Sequence, residues 1–243
     1  MVNWQDFSLS SVQTTMFTPD HSAFAGSRVV ATILRQYGER FSGDMQVLPP
    51  DFPPQITRVV LASQDGTQKV NAGPARFDYL WEVGANGSAT LREAIDQCVE
   101  VLQYYVRETK VGVGRLALVA KRVCPNEDPP QTLIRRFCNE SSWREPFNRS
   151  ATFEIHNHKE YSPVVEGVSY RINSWVRCQC GVAEPEKRPT IVVTQDLNTT
   201  VDELGRRRFS ADEVAAFYAM ASNEAEEILK KYFPLDDRDV NDG

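Results

Sequence analysis

ITRVVLASQDGTQKVNAG, Ile56 to Gly73, places two β-branched runs on either side of Asp65-Gly66. Asp-Gly accepts the positive φ angles of a type I′ turn, so the stretch predicts a β-hairpin. The segment that follows, ARFDYLWEV, alternates Phe77, Tyr79 and Trp81 on one face, as a half-buried strand does. Three consecutive strands joined by short turns predict antiparallel pairing in a sheet with one face packed.

Helical periodicity surrounds these strands. Thr90-Leu-Arg-Glu93 is a capping-box pattern, and Leu91, Ile95, Cys98, Leu102, Tyr105 and Val106 follow at helical spacing to about Thr109. Ser210-Ala-Asp-Glu213 opens a second such helix, whose stripe runs through Val214, Phe217, Tyr218, Ala221, Ala225, Ile228, Leu229 and Tyr232. An earlier helix is predicted over Ala23 to Phe41, and a short one follows Pro129-Pro130. SSVQTTMFT, VGRLALVAKRV, ATFEIHNHKEY, GVSYRINSWVRCQC and RPTIVVTQDLNT read as the remaining strands.

In order, the elements predict an α+β fold: an antiparallel sheet with long amphipathic helices on one face and a β-α-β-β-β-α duplication. Residues 1–243 are expected to form a single domain of two pseudo-repeats, 1–110 and 111–235, with a flexible acidic tail at 236–243. No Gly-, Ser- or Pro-rich linker divides the halves.

Composition narrows the class. With 41% hydrophobic and 25% charged residues in 243, disorder, collagen-like repeats and coiled coil are excluded as global readings, and no disulfide or metal is needed for folding. The formal charge of -6 disfavours sequence-independent binding to a phosphate backbone. No leader pattern or apolar run of membrane-spanning length is apparent, so a cytoplasmic protein with no membrane partner is expected. Five scattered cysteines, Cys98, Cys124, Cys138, Cys178 and Cys180, fit reduced thiols. Four Asn-x-Ser/Thr sequons, at Asn86, Asn139, Asn148 and Asn198, carry no weight without a secretory leader.

His156-Asn-His158 and Cys178-Gln-Cys180 are the sharpest chemical candidates, because imidazole and thiolate form a zinc-type ligand set. A hairpin turning near Pro163 would set His156 opposite about Tyr170 and leave Cys178 about 26 Å away along the strand. The expected outcome is therefore no metal and no other cofactor, with the cysteines as small buried hydrophobes on one strand face and the histidines facing solvent.

Arg206, Arg207 and Arg208, just before the last helix, are candidate anion-binding residues, weighed against an ordinary solvated basic loop. VGVGR at Val111 to Arg115 contains Gly-x-Gly but precedes a strand, so it fails the dinucleotide fingerprint. Carboxylates such as Glu154 and Asp196 fall in or after strands, and no catalytic motif accompanies them.

Taken together, VNAGPARFDYLWEV, VGVGRLALVAKRV and IVVTQDLNT followed by FSADEVAAFYAMASNEAEEIL resemble a sporadically distributed bacterial family of unknown function, from about Pro54 to Phe233. The resemblance implies structural motifs only and no catalytic residues. The chain departs from it at Ala120 and Lys121, where the family is similar to an Arg-Tyr-Asn ending. At the level of class and charge the chain also resembles SecB-like chaperones.

The resulting expectation is a non-enzymatic interaction module that holds another protein or its own copy as a homodimer. Abundant aromatics such as Trp4, Trp81, Trp143 and Trp175 support it. The alternative is a metal-dependent or nucleic-acid-processing enzyme using His156, His158 and the patch Arg206 to Arg208.

Overall fold

A computed structural model describes residues 2–22, 24–83, 89–138, 146–183 and 187–235. Trp143, the sequons at Asn86 and Asn139, and the expected tail at 236–243 lie outside the described residues.

The first half contains β1 (Ser8–Phe17), α1 (Gly26–Tyr37), β2 (Met45–Val47), β3 (Val59–Ala62), β4 (Gln68–Gly73), β5 (Arg76–Glu82) and α2 (Leu91–Thr109). The second contains β6 (Arg115–Pro125), α3 (Pro129–Phe137), β7 (Glu154–Tyr161), β8 (Val164–Val165), β9 (Val168–Ser169), β10 (Ile172–Ala183), β11 (Arg188–Thr199) and α4 (Ala211–Tyr232). Setting aside β2 and the small β8–β9 ribbon, each half follows the expected β-α-β-β-β-α order.

All pairings in the main sheet are antiparallel, and its strands run β2-β3-β4-β5-β1-β6-β11-β10-β7. The two halves thus meet where β1 pairs β6, from Ser8 opposite Val123 to Phe17 opposite Arg115. The α+β class and the antiparallel sheet with helices on one face are as the sequence predicts.

Strand parity sets that face. Val12, Met16, Phe77, Tyr79, Leu116 and Leu118 are buried against Ile33 of α1, Ile95 and Leu102 of α2, and Phe217 and Tyr218 of α4. A second cluster gathers Cys178, Ile191, Val193, Leu133, Ile228, Leu229 and Phe233 beneath α3 and the end of α4. The capping boxes at Thr90 and Ser210 both form.

Two local expectations need correction. In the Asp65-Gly66 loop only Gly66 has positive φ, at 70°, and its N–H donates to the Ser63 carbonyl at 2.9 Å. A type I′ turn needs two positive φ angles, so the hairpin closes instead through a longer loop tied by the Asp65 carboxylate to Ser63 and Thr67. The strand after β7 does not return directly either. The β8–β9 ribbon intervenes, and Tyr161 faces Ile172.

Candidate functional site

The face of the sheet opposite the helices carries the outward parity of each strand, which in the second half is largely polar. Across the second half the register lines up His158, Trp175, Asp196 and Val119 in one row. Beside it lies a second row, His156, Arg177, Thr194 and Lys121. Between these rows the twisted sheet forms a trough of about 550 Å³ lined by Val119, His156, Trp175, Arg177, Thr194 and Asp196.

The trough is organised by its own contacts. The His158 and Trp175 rings stack with centroids 4.2 Å apart and planes within 11°. Trp175 nevertheless remains 42% exposed. Arg177 Nε lies 2.9 Å from Glu154 Oε1, and the same oxygen meets His156 Nε2. Behind the row, His158 Nε2 meets Asn173 Oδ1, Asn173 Nδ2 donates to Asn198 Oδ1, and Asn198 Nδ2 donates to Asp196 Oδ1 at 2.9 Å. Arg115 donates to the Thr199 carbonyl and to Asn198 Oδ1, both at 2.9 Å, and its guanidinium carbon lies 4.7 Å from the Phe17 ring centroid. Side chains held this way lose little freedom when a partner arrives.

The cysteines do not join this group. Cys178 and Cys180 share the helix-covered face, with Cys178 fully buried, and all five thiols are free. His156 faces Arg177 in register, not Tyr170, so the expected separation along the strand is wrong. What divides the pairs is the alternation of side chains, which sends Cys178 inward and His156 outward. Among the described residues no three His, Cys, Asp or Glu side chains gather as metal ligands would. Burial pushes the Cys178 thiol from its ordinary 9.0 up to about 12.

The three candidate arginines diverge. Arg207 is paired to Glu203 at 2.6 Å and also reaches the Ser169 carbonyl. Arg206 is exposed, 3.9 Å from Asp202, and Arg208 donates to the Arg207 carbonyl. Ser210 and Glu213 cap the helix behind them. The loop lies near Arg171, just before β10, four residues from Trp175 opposite His158 and six from Arg177 opposite His156, or about 13 and about 20 Å at ~3.3 Å per residue. Gly114 of VGVGR serves packing: a Cβ there would sit 2.1 Å from the Leu204 carbonyl oxygen.

Trp175, Arg177 and Thr194 were not singled out as a site from the sequence, although each carries a readable signal. His156, Trp175, Arg177, Thr194 and Asp196 all occupy the strand parity opposite the buried residues. The pairing of the strands was the missing step.

No family model matches the chain, and no curated protein matches it. Among solved structures the chain is similar to the di-domain ARO/CYC BexL from the BE-7585A biosynthetic pathway, with 10% identity over 94% of this chain and 99% of that one, at a TM-score of 0.21. It is similar in the same way to the di-domain ARO/CYC StfQ from the steffimycin biosynthetic pathway, with 11% identity over 92% and 97% of the two chains, at a TM-score of 0.19. Likeness at those scores carries no argument about fold or function.

Proposed function

We propose that this protein is a non-enzymatic interaction module of the cytosol that associates with a second copy of itself through the helix-free face of its sheet. The observation that carries the reading is Trp175, 42% exposed at the middle of a preorganised trough. Tryptophan and arginine are the residue types on which interface energy concentrates, and Arg177 flanks the tryptophan. Arg177, Lys121, Glu154 and Asp196 interleave both signs of charge, which suits the self-complementary contact of a twofold dimer. Five free thiols accord with a reducing compartment, and no helix among the described residues is long and apolar enough to cross a membrane.

The rival reading, an enzyme combining His156 and His158 with Arg206 to Arg208, requires groups about 13 to 20 Å apart along the strands to act together. The net charge of -6 also supports a protein partner over a nucleic acid.

Sedimentation equilibrium tests the proposal. The wild type is expected to dimerise at micromolar concentration, and Trp175→Ala to weaken the dimer by about 30-fold, the effect of one hot-spot residue. Arg177→Glu should act in the same direction, while Val201→Ser, away from the trough, should change nothing. A monomeric wild type, or a dimer indifferent to both trough variants, overturns the proposal.

A further inference from the structure

A second cavity, on the helix-covered side, contains a charged pair that the sheet-face reading does not use. The 3-10 turn Trp4–Asp6, the start of β1, the first turn of α2, β6 and α4 line an open cleft of about 450 Å³. Trp4 lies along one side: its backbone N–H donates to the Phe233 carbonyl at 2.7 Å, and Lys230 Nζ lies 5.5 Å from its ring centroid. Phe7, packed on Phe233 with centroids 4.6 Å apart, continues the aromatic wall, and Leu91 and Leu229 add aliphatic surface.

At the base of the cavity lies Arg122, 3% exposed. It occupies the inward parity of β6, between Ala120 and Cys124, where the neighbouring positions are small or apolar. Its guanidinium donates to Glu226 Oε1 at 2.6 Å and to Gln195 Oε1, and Gln195 is tied in turn to the Ala225 carbonyl at 2.6 Å. Desolvation lowers the Arg122 pKa, and Glu226 opposes that shift. Arg122 is buried whereas the Glu226 side chain is 36% exposed, and a charge buried in such a pair is a weak source of stability, since an apolar side chain of similar volume serves as well or better. Its use here is better sought in the cavity it lines. Glu226 Oε2 takes part in no hydrogen bond or ion pair among the described residues, and a guanidinium has more N–H groups than the two acceptors use.

We propose that this cavity binds a small zwitterion with an apolar body, of the chemical class of a free amino acid with a large apolar side chain. The carboxylate would meet the remaining N–H groups of Arg122, the ammonium would meet Glu226 Oε2, and the side chain would lie against Trp4, Phe7 and Leu229. A simple anion would be repelled by Glu226 and a simple cation by Arg122. Only a head carrying both charges matches both. The volume and the apolar walls around a few polar groups are those of small-molecule sites.

Calorimetric titration with L-phenylalanine, L-tryptophan and L-leucine tests this, with 3-phenylpropionate as the anion-only probe and phenethylamine as the cation-only probe. At least one amino acid should bind at one site per chain, about tenfold or more tighter than either singly charged probe. The double variant Arg122→Met/Glu226→Leu, which keeps the volume and removes both charges, should fold and lose that preference, and Trp4→Ala should weaken the amino acid further. Failure of all three amino acids to bind, tighter binding of 3-phenylpropionate, or equal binding to the double variant each overturns the proposal. None of these outcomes depends on dimerisation at the sheet face.

Discussion

Cys178 and His156 are one step apart in register, Cys178 opposite Ile155 and His156 opposite Arg177, and that step turns their side chains to opposite faces of the sheet. The consequence for Cys178 is chemical. Desolvation holds its thiol near 12, and Cys98 and Cys124 are raised for the same reason, to about 12 and about 11. Ellman's reagent under native conditions should therefore modify the partly exposed Cys138 and Cys180 first, with Cys98, Cys124 and Cys178 reacting only on unfolding, as peptide mapping would report. The same shifts give stability a sign with pH. The unfolded thiols ionise near 9.0 and the folded ones at about 11 to 12, so the contribution is complete below pH 9.0 and is lost as pH rises through that window. The urea midpoint should be level below 9.0 and fall above it. A midpoint that rises with alkalinity would contradict the burial of these groups.

At the scale of elements, what could be read from the sequence is what local chemistry determines. Ser210 accepts from the Glu213 N–H at 3.2 Å while Glu213 returns a bond to the Ser210 N–H at 2.7 Å, so the four-residue pattern alone marks the start of α4. Ser210→Ala removes one of the two bonds and should cost about 1 kcal/mol, read as a lower urea midpoint with an unchanged slope. The parity of Phe77, Tyr79 and Trp81 was legible for the same reason. The edge strand β2 was not, because Met45, Gln46 and Val47 are all exposed and too few to show alternation. The β8–β9 ribbon, two residues on each side, escaped likewise, and its omission shifted the expected register of β7 against β10. The trough depends on that register and Arg122 on the pairing of β6. Neither follows from a motif, although an arginine in the series Leu116, Leu118, Ala120, Arg122 and Cys124 is an inward-parity anomaly that sequence alone could flag.

At the scale of the whole molecule, the duplication suggests two units, yet the joint between them lies inside the sheet and inside the core. β1 and β6 are the innermost strands of their halves, and each pairs with the other along most of its length. Above them α2 packs on α4: Gln103 Nε2 donates to the Ala211 carbonyl at 3.0 Å, and Arg107 pairs with Asp212 at 2.9 Å. Tyr218 of α4 reaches across the joint to donate to the Thr15 carbonyl of β1 at 2.8 Å. Cutting the chain between Lys110 and Val111 would leave each half with an open central strand edge and one side of its helix layer bare, conditions that favour aggregation over folding. Neither 1–110 nor 111–243 should therefore show cooperative thermal unfolding when expressed alone, whereas co-expression should return a stoichiometric complex with the near-ultraviolet circular dichroism of the intact chain. A cooperative transition in isolated 1–110 would mean that the halves are independent domains sharing a strand pairing. Its absence, together with recovery on co-expression, would mean that the repeat is a feature of topology and that stability belongs to the continuous sheet.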